Sequence, residues 1–93
     1  MSIRITHVRF AGTTRDHQHI AAVRWVNRED STKTEDNIVS TIVAWIDKGG
    51  KAYSGTGSSE VAVGVVREAG QTPYLRTYAD KQWNNNLLSL PTF

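Results

Sequence analysis

Apolar and polar positions alternate at the start of the chain, but the alternation changes phase. Ile3 and Ile5 share one parity with His7 and Arg9, whereas Val8 and Phe10 hold the other. Successive side chains of a strand point to opposite faces. Residues 3–10, rich in β-branched side chains, therefore predict a strand with a bulge near Thr6–His7, or one buried on both sides at its end. Residues 11–14 break the pattern. Residues 19–28 predict a second strand, with Val23 and Trp25 on one face and Ile20, Ala22 and Val26 on the other. Apolar residues on both faces suit a central strand, with Arg24 and Arg28 reaching its rim. Residues 27–33 are polar and read as a loop.

The period then changes. Ile38, Val39, Ile42, Val43, Trp45 and Ile46 fall on one arc at about 100° per residue, and Ser40, Thr41, Ala44, Asp47 and Lys48 fill the other side. This predicts an amphipathic helix. Thr34, Glu35 and Asp36 supply a capping hydroxyl and carboxylates for its first turn. Lys48 suits the negative end of the helix dipole, and Gly49 suits a left-handed stop.

Residues 51–55 and 60–67 predict a hairpin around the loop Gly55-Thr56-Gly57-Ser58-Ser59, whose residues tolerate unusual backbone angles. In its second arm Val61, Val63 and Val65 face one way. Ala62 and Gly64 face the other, a small face fit to lie under a helix or against another backbone. After a turn at residues 68–71, residues 74–78 predict the last strand, with Tyr74, Arg76 and Tyr78 on one face and Leu75 and Thr77 on the other. The expected architecture is a two-layer α+β domain spanning residues 1–93, with an antiparallel sheet of about five strands and one helix in the order β-β-α-β-β-β.

Composition narrows the function classes. The 93 residues include 11 Lys+Arg and 9 Asp+Glu, a formal net charge of +2. The charges are spread evenly over both halves, so no basic arm or acidic tail marks an electrostatic partner. With no cysteine, the chain has no disulfide, thiol nucleophile, iron–sulfur cluster or cysteine zinc site. Its N-terminal segment reads as a strand rather than a leader, and its apolar runs are far shorter than the ~20 residues that span a bilayer. The expected location is the cytoplasm, with no membrane association.

No cluster of residues points to catalysis. His17 and His19 alternate beside Asp16 and, with His7 from the neighbouring strand, form the most metal-like set. A tight site needs more ligands and an outer shell, and the plainer reading places both histidines at a solvent-facing loop-to-strand junction. Gly55-Thr56-Gly57 lacks the following helix of a phosphate loop, and no serine sits in a nucleophile elbow. No metal or cofactor is expected. Tyr74, Arg76 and Tyr78, with Arg24 nearby and Trp83 at a loop tip, form the candidate binding set. Aromatics and arginines of this kind bind a protein partner or stack on single-stranded nucleic acid.

The end of the chain carries a resemblance. Tyr74-Leu75-Arg76-Thr77, then Asp80, then Asn86-Leu87-Leu88-Ser89-Leu90-Pro91 resembles the C-terminal signature of a small bacterial and phage family, the domain of unknown function 3892. Ile46-Asp47-Lys48-Gly49 and Tyr53 resemble that family's helix end and following strand, and Ile5 and Val8 fit its first strand. Asn85 stands where an acidic residue is expected, Trp83 is bulky for its loop, and Phe93 replaces a small residue. The resemblance implies a compact α+β domain and supplies no activity. Its bacterial and phage setting suggests a phage-type inhibitor of a host protein. On physical grounds the same stretch reads as a clasp: Arg76 holds loop carbonyls or Asp80, Asn86 shapes a turn, and Leu87 and Leu90 return as an apolar lid. The chain is thus expected to be a non-enzymatic interaction module, with nucleic-acid binding as the alternative and an edge-strand homodimer as one assembly.

Overall fold

A computed structural model describes residues 2–13, 16–55, 60–79, 82–84 and 86–93. Of Ala79, Gln82–Asn84, Asn86 and Ser89 it describes the backbone. Among these residues seven strands join in one sheet: β1 (Ser2–Phe10), β2 (Ile20–Asn27), β3 (Thr34–Ile38), β4 (Lys51–Ser54), β5 (Val61–Val66), β6 (Tyr74–Ala79) and β7 (Gln82–Asn84). Their order is β3-β2-β1-β4-β5-β6-β7. One helix, α1 (Val39–Asp47), follows β3, and two 3₁₀ turns occupy His17–His19 and Asn86–Ser89. The α+β class is as expected, but the sheet is mixed rather than antiparallel. β1 and β4 run parallel, with Ser2 opposite Lys51 and Ile5 opposite Ser54; every other neighbouring pair is antiparallel. The two strands beyond the expected five are β3 and β7.

The phase change in β1 is a bulge. Ile5 lies opposite Trp25 and His7 opposite Arg24, so Thr6 is the extra residue. The Thr6 hydroxyl donates to the Arg24 carbonyl at 3.2 Å, which fixes the bulge to β2. As a result Ile3, Ile5 and Val8 all turn toward α1 and are buried. A second irregularity sets Arg9 opposite Ala22 and Phe10 opposite Ile20, so Ile20 and Val23 are buried on the same side despite their spacing. Ala52, Val63 and Leu75 extend this core across β4, β5 and β6, and α1 covers it with Val39, Ile42 and Val43. At roughly 1.5–3 kcal/mol per fully buried aliphatic side chain, this single face is the main source of stability.

The helix start is a correction. Residues 34–36, expected to open the helix, belong to β3. Cross-strand partners hold them extended: Arg24 Nε donates to Asp36 Oδ1 at 2.8 Å, and Trp25 Nε1 donates to Asn37 Oδ1 at 2.7 Å. The helix begins at Val39 with Ile38 at its N-cap and no side-chain cap. Ile38, expected on the buried arc, is 59% exposed. The C-terminus ends as expected, with Gly49 at φ 101°, a conformation that favours glycine. Gly50 follows directly beneath the Trp45 ring, where a Cβ would collide with the indole.

The tail completes the sheet. β4 pairs with β1 only as far as Ile5. Beyond it, the Val8 N–H donates to the Pro91 carbonyl at 3.0 Å and the Phe93 N–H to the Val8 carbonyl at 3.3 Å, a parallel bridge between Val8 and Thr92. The Phe93 ring lies under two guanidinium groups, 4.4 Å from Arg9 and 4.5 Å from Arg24, and Arg9 Nε donates to the Phe93 carbonyl at 3.0 Å.

Two substitutions test this packing by thermal denaturation. Gly50→Ala drives a methyl into the Trp45 ring and is expected to cost about 1–3 kcal/mol. Phe93→Ala removes two cation–π contacts and is expected to cost roughly 1–2 kcal/mol; an unchanged midpoint in either variant would contradict the corresponding contact.

Candidate functional site

The sheet has two unlike faces. α1 covers one, and register fixes what stands on the other. Directly opposed residues on paired strands share a face. Val26 opposes Arg4, Arg4 opposes Tyr53, Tyr53 opposes Ala62, Ala62 opposes Tyr78, and Tyr78 opposes Trp83. These form one transverse row on the face away from the buried Ile5, Ser54, Val63 and Thr77. Tyr78 is 40% exposed, and Ala62 beside it is also exposed. A shallow open depression lies here, lined by Ala62, Val63, Gly64 and Tyr78. The small face of β5 therefore lies under no helix. Its alanine and glycine floor a trough on the uncovered side of the sheet.

Tyr78 lines that trough, and Tyr53 stands opposite Ala62 on the neighbouring strand. Adjacent strands lie ~4.8 Å apart, so two tyrosines separated by one intervening strand stand roughly 10 Å apart, wide enough for a flat or branched group over Ala62. Arg28 packs its guanidinium 4.1 Å from the Tyr53 ring. It also pairs with Glu60, Nη2 to Oε1 at 2.6 Å, so one face of the tyrosine ring is held and the cation is neutralised.

The sequence-predicted set is brought together only in part. Tyr74, Arg76 and Tyr78 do share a face of β6. Tyr74 and Arg76 are half-buried, however, and the Tyr74 hydroxyl donates to Glu68 Oε1 at 3.3 Å. Burial, and then Glu68, push the Tyr74 hydroxyl pKa up. Trp83 joins the row by register on β7; its side chain lies outside the described residues. Arg24 does not belong to this set: β1, β4 and β5 stand between β2 and β6. It pairs instead with Asp36, whose carboxyl that hydrogen bond holds below the usual range, and with Phe93. Of the clasp residues, Leu87 is fully buried and Leu90 packs on the core. Asp80 and the Asn86 side chain lie outside the described residues. Tyr53 and Ala62 are the residues that sequence reasoning missed as a site. Their alternation with buried Ala52, Ser54 and Val63 was the available signal, but only the β4–β5 register joins them to Tyr78.

The histidines diverge. His17 and His19 lie on a 3₁₀ turn, not a strand, so they do not share a face. His17 is buried at 8% exposure, against the expectation of a solvent-facing ring, while His19 is exposed and pairs with Asp16 at 2.6 Å. Among the described residues no three histidine or carboxylate side chains converge as a metal site. The His17 Nε2 is buried without a hydrogen-bond partner among the described residues. Burial and the nearby Arg76 push its pKa below 6.5, against a smaller opposing effect of Asp16. No helix among the described residues is long and apolar enough to cross a membrane.

Comparison with known proteins identifies the family. The model of a family described as a protein of unknown function (DUF3892) matches residues 4–91, and the chain belongs to that family. Neither the curated proteins nor the solved structures contain a match to the chain.

The buried histidine gives a pH test. Above 6.5 the ring is neutral whether the chain is folded or not. As pH falls through that value the unfolded chain takes up a proton that the folded chain refuses, so stability is lost down to the folded-state pKa. The lowered carboxyls, Asp16, Glu29, Asp30 and Asp36, start from ordinary values of 3.8 to 4.5 and act in a more acid window. The unfolding midpoint is expected to fall between about pH 7 and pH 5, and His17→Leu to flatten that slope. An equal slope in the variant would remove His17 as its cause.

Proposed function

We propose that this member of the DUF3892 family is a small non-enzymatic binding module, and that the open face of β4, β5 and β6 is where it takes a protein partner. The observation that carries the reading is the trough over Ala62 and Gly64 beside the exposed Tyr78, with Tyr53 opposite Ala62 on the next strand. Tyrosines around a small-residue floor accept an inserted apolar side chain and keep a hydroxyl for the rim, the anatomy of an interface hot spot. A phage-type inhibitor of a host protein is the narrower form of this reading, with the same face blocking its target. A homodimer through the free edge of β3 is less favoured, because it would bring Glu35 and Asp36 of two copies together.

Single-stranded nucleic acid is the second reading, favoured by Tyr53 and Tyr78 on the face that α1 leaves open. The charge pattern speaks for protein. Arg24, Arg28 and Arg67 are each paired with a carboxylate, Asp36, Glu60 and Asp47 respectively, which leaves less free positive charge for phosphates.

Ala62→Arg discriminates the two. The position is exposed, so the fold is expected to survive. Affinity capture from a host lysate should retain a stoichiometric protein with the native chain and lose it with Ala62→Arg, and Tyr78→Ala should weaken that complex roughly tenfold or more. A nucleic-acid partner would instead bind Ala62→Arg more tightly, with a steep salt dependence.

A further inference from the structure

On the helix side of the sheet, α1 and the β2–β3 pair leave a half-open cleft of about 250 Å³. Ile3 and Ile42, both buried, form its floor, and the indoles of Trp25 and Trp45 line it, with Glu35 and Asn37 on its polar side. Both rings are held. Trp25 donates its N–H to Asn37 Oδ1 at 2.7 Å, which uses the one donor an indole has, so what it offers an occupant is its π surface. Trp45 rests over Gly50, where no Cβ intrudes.

Glu35 stands directly opposite Trp25 in the β2–β3 pair, which sets their Cβ atoms roughly 5 Å apart on the same face. Its neighbour Asp36 is taken by Arg24. The Glu35 carboxylate has no hydrogen bond or ion pair among the described residues. A carboxylate without a cation, beside an apolar cleft with two indole walls, is the complement of an organic cation. A primary ammonium brings three donors that all need acceptors, and the cleft offers few. A quaternary ammonium brings none: its methyl groups bury against isoleucine and indole while its charge faces the carboxylate. The volume sits just below the ~300 Å³ lower bound usual for ligand pockets, so the occupant is small.

From this juxtaposition we infer that the cleft between α1 and β2–β3 is a binding site for a small quaternary ammonium compound of the choline type. The site lies on the opposite side of the sheet from the Tyr53–Tyr78 trough and stands independently of it.

The test is a titration of the ¹⁵N-labelled chain with choline, and in parallel with 3,3-dimethylbutan-1-ol, its neutral isostere with carbon in place of nitrogen. Choline is expected to move the indole N–H signals of Trp25 and Trp45 while that of Trp83, on the far edge of the sheet, stays in place. The neutral isostere and Glu35→Gln are each expected to weaken binding roughly fivefold, as loss of one partly exposed charge contact does. Glu35 is exposed, so the variant is expected to keep the native dispersion of signals. Equal binding of alcohol and cation would overturn the inference, as would unchanged affinity in Glu35→Gln. So would still indole signals up to roughly 50 mM choline, where a millimolar site is nearly full.

Discussion

β1 has to present Ile3, Ile5 and Val8 to one helix, and an unbroken pleat forbids it, because residues of opposite parity point to opposite faces. The bulge at Thr6 resolves the conflict, and the rest of the sheet follows from it. Its hydroxyl bonds the Arg24 carbonyl, so the register of β1 against β2 slips by one residue there, and the second irregularity, opposite Phe10, changes the phase of the inward set of β2. Bulges also increase local bending and twist. β4 accompanies β1 only up to Ile5, and the tail takes over at Val8. β1 is thus one strand with two successive partners on the same side, and the change of partner falls within three residues of the bulge.

That arrangement separates two kinds of chemistry. On the helix side, among the described residues, the fully buried polar side chains are short ones, Ser54 and Thr77. On the open side two arginines are each tied to a carboxylate and a ring. Arg24 holds Asp36 and the Phe93 ring, and Arg28 holds Glu60 and the Tyr53 ring. Exposed ion pairs contribute little stability individually. Their greater effect here is to fix the orientation of aromatic rings on a face that no helix covers. What is left unoccupied on that face is the small-residue lane of β5.

Much of this was legible in the order of residues. The parity switch in β1 announced the bulge. The alternation in residues 74–78 placed Leu75 and Thr77 inside and set Tyr74, Arg76 and Tyr78 together, and Gly49 marked the helix end. The segment 34–38 was misread because Thr, Glu and Asp before an apolar run are also the residues of a helix start. What makes them a strand is their partners in β2, Arg24 and Trp25, and pairing at that distance has no local signature. The parallel contact of β1 with β4 is of the same kind. The trough escaped notice because its floor comes from β5 and its wall from β6, so it exists only once that register is set. The burial of His17 depends on β6 packing against the 3₁₀ turn, and nothing in the His-Gln-His run signals that.

The bridge between Val8 and Thr92 bears on the order in which the sheet can assemble. Its hydrogen bonds join positions separated like Arg9 and Phe93, by 84 residues. Closing a loop of that length costs entropy before any contact repays it. The hairpins β1–β2 and β5–β6 need only their own turns and can form early. The second half of β1 keeps one row of backbone groups unpaired until residues 91–93 arrive. On a ribosome that row stays open until synthesis of this segment is finished, so the last strand partner acquired is also the one that removes the sheet's internal sticky edge.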